Sequence, residues 1–331
     1  MGLANNKKGL VFTILAIVMT VFFTTMFSSK IETPIDSKAS LIEARVSLLD
    51  SYMNDFYSYA EGAGSVTGYA AIQGIIQDMS MTRSYKPGFE QEMANCTLLG
   101  NLTSTKLCPG MENLTLIKYL DTMKKLAEDF LNIKANYTVN NINITQGLDA
   151  FSVELLINIT LEIIDDYANL TDTRVVVSPI IITGLPDPLF MLNGTYNQSI
   201  LQNNLNKKEG DWNYTDLQNL YYNNTYRNYK QGISFIRRIK GDFADMTDYY
   251  GLESIVNYTR VSYHENHSMI DYLYWRNITF PCRSPTSPFP YLVGINGDIL
   301  PMNGAQYFQL DDDHRLSFGI NPGNTTRTCT P

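Results

Sequence analysis

The spacing of apolar residues changes character along the chain, and each change marks an element. Leu10 to Phe27 is eighteen residues without a charge, preceded by Lys7 and Lys8 and closed by Ser28-Ser29-Lys30. As a helix this run spans roughly 27 Å, enough to cross a bilayer once. Lysines on its short N-terminal side place residues 1–9 in the cytoplasm and the chain beyond outside. A cleaved secretory signal is the competing reading, but the run is long for a signal core and no small-x-small site follows it. Next, Leu41, Leu48 or Leu49, Tyr52, Phe56 and Tyr59 recur at spacings of three, four or seven, which predicts a helix over 37–61 starting near Pro34, Asp36 or Ser37. Gly62, Gly64 and Gly68 predict a break, with a second helix from Tyr69 to Met79. Residues 82–112 read as a loop with turns at Pro87-Gly88 and Pro109-Gly110, and Leu116, Leu120, Met123 and Phe130 mark an amphipathic helix over 113–132.

The period then drops to two. Phe151, Val153, Leu155, Ile157, Ile159, Leu161 and Ile163 alternate with Ser152, Glu154, Leu156, Asn158, Thr160 and Glu162, a strand with one buried face. Ala135, Tyr137, Val139, Ile142 and Ile144 predict a partner strand upstream, and residues 173–183 predict one downstream, in which Pro179 points to an edge or a bulge. Short connections predict an antiparallel meander. The second half is less patterned. Residues 190–232 are rich in Asn and Tyr, 228–246 read as a helix with Arg237, Arg238 and Lys240 on a solvated face, and Tyr291–Ile295 with Asp298–Leu300 read as a hairpin about Asn296-Gly297. Short strands over 305–310 and 315–320 complete the expectation. The fold class is α+β: an N-terminal transmembrane helix with an amphipathic extension, an antiparallel sheet with packed helices, and a smaller C-terminal β-rich subdomain. The expected divisions are 1–9 leader, 10–27 span, 28–80 helical extension, 81–200 α+β ectodomain and 201–331 second half.

Composition supports export. Acidic residues outnumber basic ones by 33 to 25, a formal charge of −8, so the chain lacks the basic footprint of a nucleic-acid binder. Fifteen Asn-x-Ser/Thr sequons lie beyond the apolar run, at Asn95, Asn101, Asn113, Asn136, Asn143, Asn158, Asn169, Asn193, Asn197, Asn213, Asn223, Asn257, Asn266, Asn277 and Asn324. That is about threefold above chance for this composition and makes them N-glycosylation candidates. Cys96, Cys108, Cys282 and Cys329 allow three pairings, of which the local one, Cys96–Cys108 with Cys282–Cys329, is the expected one. No Cys-x-x-Cys spacing suggests zinc.

The short basic N-terminus ending in Lys7-Lys8-Gly9, the immediate apolar helix from Leu10, its amphipathic continuation and the antiparallel sheet resemble archaeal type IV pilin-like surface proteins. The segment Gly184-Leu185-Pro186-Asp187-Pro188-Leu189 also resembles one in uncharacterised membrane-anchored proteins of this build. The resemblance implies cleavage by a dedicated peptidase between Gly9 and Leu10. Many pilins carry a glutamate at the fifth position of the mature helix, and here that position is Ile14. With the chain's length, this departure fits a minor component or a stand-alone surface protein better than a bulk filament subunit.

Candidate chemistry is sparse. His264-Glu265-Asn266-His267 lacks the four-residue spacing of the zinc-protease motif, Asp311-Asp312-Asp313-His314 reads as a solvated acidic turn, and neither a phosphate loop nor a nucleophile elbow occurs. The expectation is a non-enzymatic protein without cofactor, catalytic residue or bound metal. Its partners are the bilayer through residues 10–27, other pilin-like or envelope proteins and the N-glycosylation machinery. An anchored solute-binding or sensor ectodomain is the second reading, and an exported carboxylate-using hydrolase the third.

Overall fold

The computed structural model describes residues 17–20, 34–193, 197–205, 207–208, 210–243, 250–257, 260, 268–275, 291–294, 307–310 and 312–320. The expectations at Gly9, Leu10, His264, His267, Cys282, Cys329, Asn266, Asn277, Asn324 and the 296–300 turn lie outside the described residues. Residues 17–20 are helical with Ile17, Val18 and Met19 exposed. Among the described residues no helix is long and apolar enough to cross a membrane.

One helix, α1, runs from Pro34 to Thr82. Proline suits this first position, where a missing N–H costs nothing, and Arg83 closes the helix in the left-handed region with its N–H on the Met79 carbonyl. The break expected at Gly62, Gly64 and Gly68 does not occur. A β-carbon on Gly64 would collide with Ser178 Oγ and lie 2.7 Å from Ile157 Cδ1, and one on Gly68 would collide with Ile180 Cδ1. At these two glycines the helix lies too close to the sheet to admit a side chain without a shift. Each costs about 1 kcal/mol in helix propensity, and the packing they permit offsets it. Of the expected stripe, Leu49, Tyr52 and Phe56 are buried, Tyr59 is half-buried and Leu41 is exposed. The apolar face continues through Ala60, Ala63, Ala71, Ile72, Ile75 and Met79.

The stretch expected to be a loop holds helix α2 (Phe89–Leu99) and a small hairpin of β1 (Asn101–Thr103) and β2 (Lys106–Leu107), closed by a disulfide between Cys96 and Cys108. Closing so short a loop contributes about 3 kcal/mol in the chain-entropy account. Helix α3 (Leu116–Leu126), capped by the Thr115 hydroxyl, continues as a π-helical turn over Ala127–Leu131 and stops at Asn132, which has positive φ.

The meander is as expected: β3 (Lys134–Gln146), β4 (Ser152–Ile164) and β5 (Asn169–Ile181) pair antiparallel with β4 central and β5, bearing Pro179, at an edge. Every odd residue of β4 from Val153 to Ile163 is buried. In β3 the inward residues change parity between Val139 and Ile142. The register shifts there, and Asn140 bridges outward to Asn158 Oδ1 at 3.2 Å and Thr160 Oγ1 at 2.9 Å. The Arg45 guanidinium grips Asp165 at the β4–β5 turn with two bonds, of 2.7 and 3.1 Å, and donates to the Leu131 carbonyl, tying the start of α1 to the far end of the sheet.

Beyond β5 come α4 (Pro188–Asn193), α5 (Tyr214–Asn223), β6 (Arg227–Tyr229), α6 (Phe235–Lys240), β7 (Gly251–Glu253), β8 (Ile255–Val256), β9 (Ser268–Ile270), α7 (Asp271–Trp275), β10 (Tyr291–Gly294), β11 (Tyr307–Leu310) and α8 (Asp312–Ser317). The helix expected over 228–246 shrinks to six residues, because residues 227–229 pair with β7. Strand β10 pairs with β11, and residues 312–317, covering part of the expected strand over 315–320, are helical. A four-stranded sheet of order β10-β11-β9-β8 results, antiparallel except at β11–β9. The whole is α+β, with one continuous hydrophobic core reaching from Leu49 to Ile320.

Helical glycines that meet the sheet and one that does not should respond oppositely to a side chain. A β-carbon on Gly62 would meet nothing within 4 Å, so Gly62→Ala should raise stability by about 0.5–1 kcal/mol. Gly64→Val should lower it by about 1–3 kcal/mol through overpacking. Urea midpoints measured on the two variants check both signs.

Candidate functional site

The largest concentration of charged chemistry lies inside the second half. Asp187 precedes Pro188, the first residue of α4, and acts as its cap, since Oδ1 accepts from the Leu189 N–H at 2.9 Å. Its other oxygen, Oδ2, accepts from the Tyr226 hydroxyl at 2.8 Å and from Arg238 Nη1 at 2.6 Å. The same Arg238 nitrogen donates to Asp271 Oδ2 at 2.8 Å. Arg238 Nε donates to the Ile233 carbonyl and Nη2 to the Leu252 carbonyl. Asp271 Oδ2 also accepts from the Ser254 hydroxyl and N–H, and Oδ1 from the Tyr272 N–H.

Arg238, Asp187 and Asp271 are fully buried. The expectation of a solvated basic face over Arg237, Arg238 and Lys240 therefore fails at its middle member. Arg237 is paired with Asp242, and Lys240 with Glu90 of α2. Burial opposes the charge on Arg238, but the two carboxylates more than offset it and hold the guanidinium above its ordinary range. Burial pushes the Asp271 carboxyl up to about 6, against the pull of Arg238. Burial and then Asp187 raise the Tyr226 hydroxyl. A close backbone contact makes the geometry possible, because a β-carbon on Gly251 would collide with the Gly232 backbone. With no side chain between them, Ile233 and Leu252 bridge and both present carbonyls to Arg238.

A second buried group adjoins the first. Arg227 and Glu253, opposite each other on β6 and β7, are joined through Nε and Nη2 to Oε1, each at 2.7 Å. The Arg227 plane lies over Phe318, 3.9 Å from the ring centroid, and is flanked by Tyr229 and Trp212. Glu253 Oε2 is 3.0 Å from His314 Nε2, which is also 2.7 Å from the Tyr272 hydroxyl. Burial works to raise the Glu253 carboxyl, but Arg227 and then His314 override it and hold the group below its ordinary range. The acidic turn expected at 311–314 is corrected here: Asp312 opens a helix, and His314 points into the core.

These groups contain what acid–base chemistry requires, yet each is already bound to an opposite charge and enclosed. A substrate reaches neither Asp187 nor Asp271 without opening the core. Their physical effect is to fasten the Gly184–Leu189 segment to α6, α7 and β7. Among the described residues no set of three His, Cys, Asp or Glu is placed to hold a metal ion. A surface cleft of about 370 Å³ lies between α3 and β3, with Leu98, Ile117, Asp121, Lys124, Asn136 and Tyr137 in its lining. Its polar groups satisfy one another, Tyr137 donating to Asp121 at 2.7 Å and Lys124 to Asn136 at 3.3 Å.

The sequons spread over the surface. Asn136, Asn143, Asn158 and Asn169 fall on the sheet face turned away from α1. Asn113, Asn197, Asn213 and Asn223 are exposed around the helices, with Asn213 capping α5. Asn95, Asn101 and Asn257 are half-buried, and Asn193 ends α4. Sequence reasoning missed the ionic clusters. The Asp187-Pro188 pair was a legible helix start, whereas nothing in the sequence separates Arg238 from Arg237.

Comparison with protein-family models, with curated proteins and with solved structures gives no match to this chain.

The folded-state pKa of Asp271, about 6, exceeds the ordinary unfolded value near 3.9. Its contribution to stability is therefore fully present below about pH 4 and lost as pH rises through about 6. Arg238→Met removes the charge that restrains this loss, and should cost about 3–5 kcal/mol at pH 7.5, with part of the cost recovered at pH 5 as the unpaired Asp271 carboxyl takes up a proton. Urea titrations of parent and variant at both pH values measure the difference. An equal loss at both would remove the unpaired-carboxylate explanation.

Proposed function

We propose that this chain is a membrane-anchored, extracellular, N-glycosylated protein of the archaeal cell surface, pilin-like in build, with a structural or adhesive role as a minor pilus component or a stand-alone surface protein. The observation that carries the reading is α1. It is a single helix of 49 residues whose later part is seated on an antiparallel meander, while Leu41, Ile42 and Val46 near its start are exposed. The eighteen-residue apolar run lies just upstream in the sequence, so the helix is suited to carry the body away from a bilayer. The Cys96–Cys108 bridge agrees with an oxidising compartment.

In this role the protein works by presentation. The anchor fixes the chain, the helix sets the distance, and the ectodomain contacts neighbouring proteins or surfaces. A second reading, an anchored solute-binding or sensor ectodomain, draws on the cleft between α3 and β3. A small molecule that raises the melting temperature, with the shift lost in Tyr137→Ala, would favour it over the first.

Sequencing the N-terminus of the protein purified from its native membrane tests the main reading. Leader processing predicts a start at Leu10, and an intact start at Met1 or Gly2 leaves a simple signal-anchored glycoprotein. A start near Lys30 means a secreted protein and defeats the anchor.

A further inference from the structure

The sheet that α1 covers on one side presents side chains to solvent on the other, among the described residues. Along β4 the outward positions are Glu154, Leu156, Asn158, Thr160 and Glu162. The register sets them in rows across the three strands: Thr138, Thr160 and Thr173 in one, Asn141, Asn158 and Val175 in the next, Asn143, Leu156 and Val177 in the third. The first row is polar and linked, with Thr160 and Thr173 hydroxyls 2.9 Å apart. The next two carry apolar side chains into solvent, Val175 at 58% and Val177 at 42% exposure, and Ile181 beyond them at 65%. Three strands of this length present a face of roughly 600 Å², near the area each partner gives to an ordinary protein interface, about 800 Å². Left uncovered, it is a place for association.

Two of the sequons stand in those apolar rows. Asn143 is opposite Leu156, and Asn158 is opposite Val175. Their side chains are also arranged alike. Asn143 Oδ1 accepts from the Ile144 N–H at 2.9 Å, and Asn158 Oδ1 accepts from Asn140 Nδ2 at 3.2 Å. Among the described residues neither Nδ2 donates to any group. The same holds for the sequon residues Asn95, Asn113, Asn136 and Asn213, each bonded through Oδ1 alone. Outside the sequons, Asn54, Asn140 and Asn203 use Nδ2 as a donor, while Asn224 is bonded through Oδ1 alone. At Asn143 and Asn158 the nitrogen that would carry an N-linked sugar is an atom that folding leaves uncommitted.

We infer that Asn143 and Asn158 are modification sites whose N-linked glycans cover the Leu156, Val175 and Val177 strip and keep this sheet face from pairing with another protein surface. The inference rests on the exported, glycosylated reading above. In the modification, Nδ2 attacks C1 of a sugar carried by a lipid-linked phosphate or diphosphate. The C1–N bond forms as the C1–O bond breaks, the lipid phosphate leaves with the electron pair, and Nδ2 gives up one proton. Sugar rings laid across the strip meet the valine methyls with their C–H faces and give water their hydroxyls. Glycans also add bulk that a facing sheet cannot accommodate at the roughly 10 Å spacing of packed sheets.

The test uses the full chain from its native membrane in detergent. Glycopeptide mass spectrometry should find added sugar mass on Asn143 and Asn158. The double variant Asn143→Gln, Asn158→Gln should move from monomer to dimer or larger by light scattering, roughly a doubling of mass. The alternative pair Thr145→Val, Thr160→Val, which abolishes both sequons but keeps both asparagines, should do the same. Val177→Lys added to either pair should restore the monomer, which separates exposure of the strip from misfolding. Sugar on Asn113 or Asn223 with none on Asn143 and Asn158 overturns the inference and leaves the surface reading standing. Absence of sugar at every sequon overturns both. Unchanged mass distributions in the double variants, with the parent glycosylated at both sites, overturn the shielding role.

Discussion

The structure depends on the burial of one face of β4. Six aliphatic side chains from Val153 to Ile163 must leave water together, and only a rigid apolar surface as long as the strand can receive them. Helix α1 is that surface. Its glycines and alanines, Ala60, Ala63, Gly64, Gly68 and Ala71, bring its axis close to the strands, and its tyrosines close the margins, Tyr57 donating to the Asp172 carbonyl at 2.8 Å. Because strand side chains alternate, filling this face fixes the other face by default. The disposition of Asn, Thr and valine outside is thus a consequence of what α1 requires inside.

The second half is organised differently. Its strands have two to four residues, too short for ladders to hold them, and buried ion pairs take over the task of specifying neighbours. Arg238 gathers an α4 cap, an α7 start and the carbonyls of Ile233 and of Leu252 in β7, and Arg227 gathers β7, α8 and three aromatic rings. Such pairs add little net stability over apolar packing, but leaving one partner unpaired is costly. They discriminate against wrong arrangements of short elements more than they strengthen the right one.

Legibility in the sequence followed element length and locality. The thirteen-residue strand and its neighbours, the α3 stripe and the Cys96–Cys108 pairing were all readable, because each is decided by periodicity or by proximity in the chain. The continuity of α1 was not, since a glycine weakens a helix by local propensity whereas Gly64 and Gly68 are explained by Ser178 and Ile180, more than a hundred residues away. Helix α2 was hidden among turn residues and sequons. The ionic clusters were hidden for the same reason as α1: the difference between Arg237, at the surface side of α6, and Arg238, in the core, depends on distant Asp187 and Asp271. Outward sequons on β3 to β5 were legible in part, because Asn158 and Thr160 sit on the polar side of an alternating strand.

The length of α1 gives the body a mechanical character. From Leu49 to Met79 the helix is seated against other elements over roughly 45 Å, and Arg45 holds it to the β4–β5 turn at one end while the Asp78 carboxylate takes Lys86 and Lys106 at the other. A pull applied at the start of α1 along its axis draws the helix lengthwise. Motion in that direction must drag Phe56, Gly64 and Gly68 past the sheet together, so the load is shared by the whole contact at once. Peeling the helix away sideways would break the same contacts one turn at a time. A body pulled through α1 is therefore stiffest against forces directed along the helix axis.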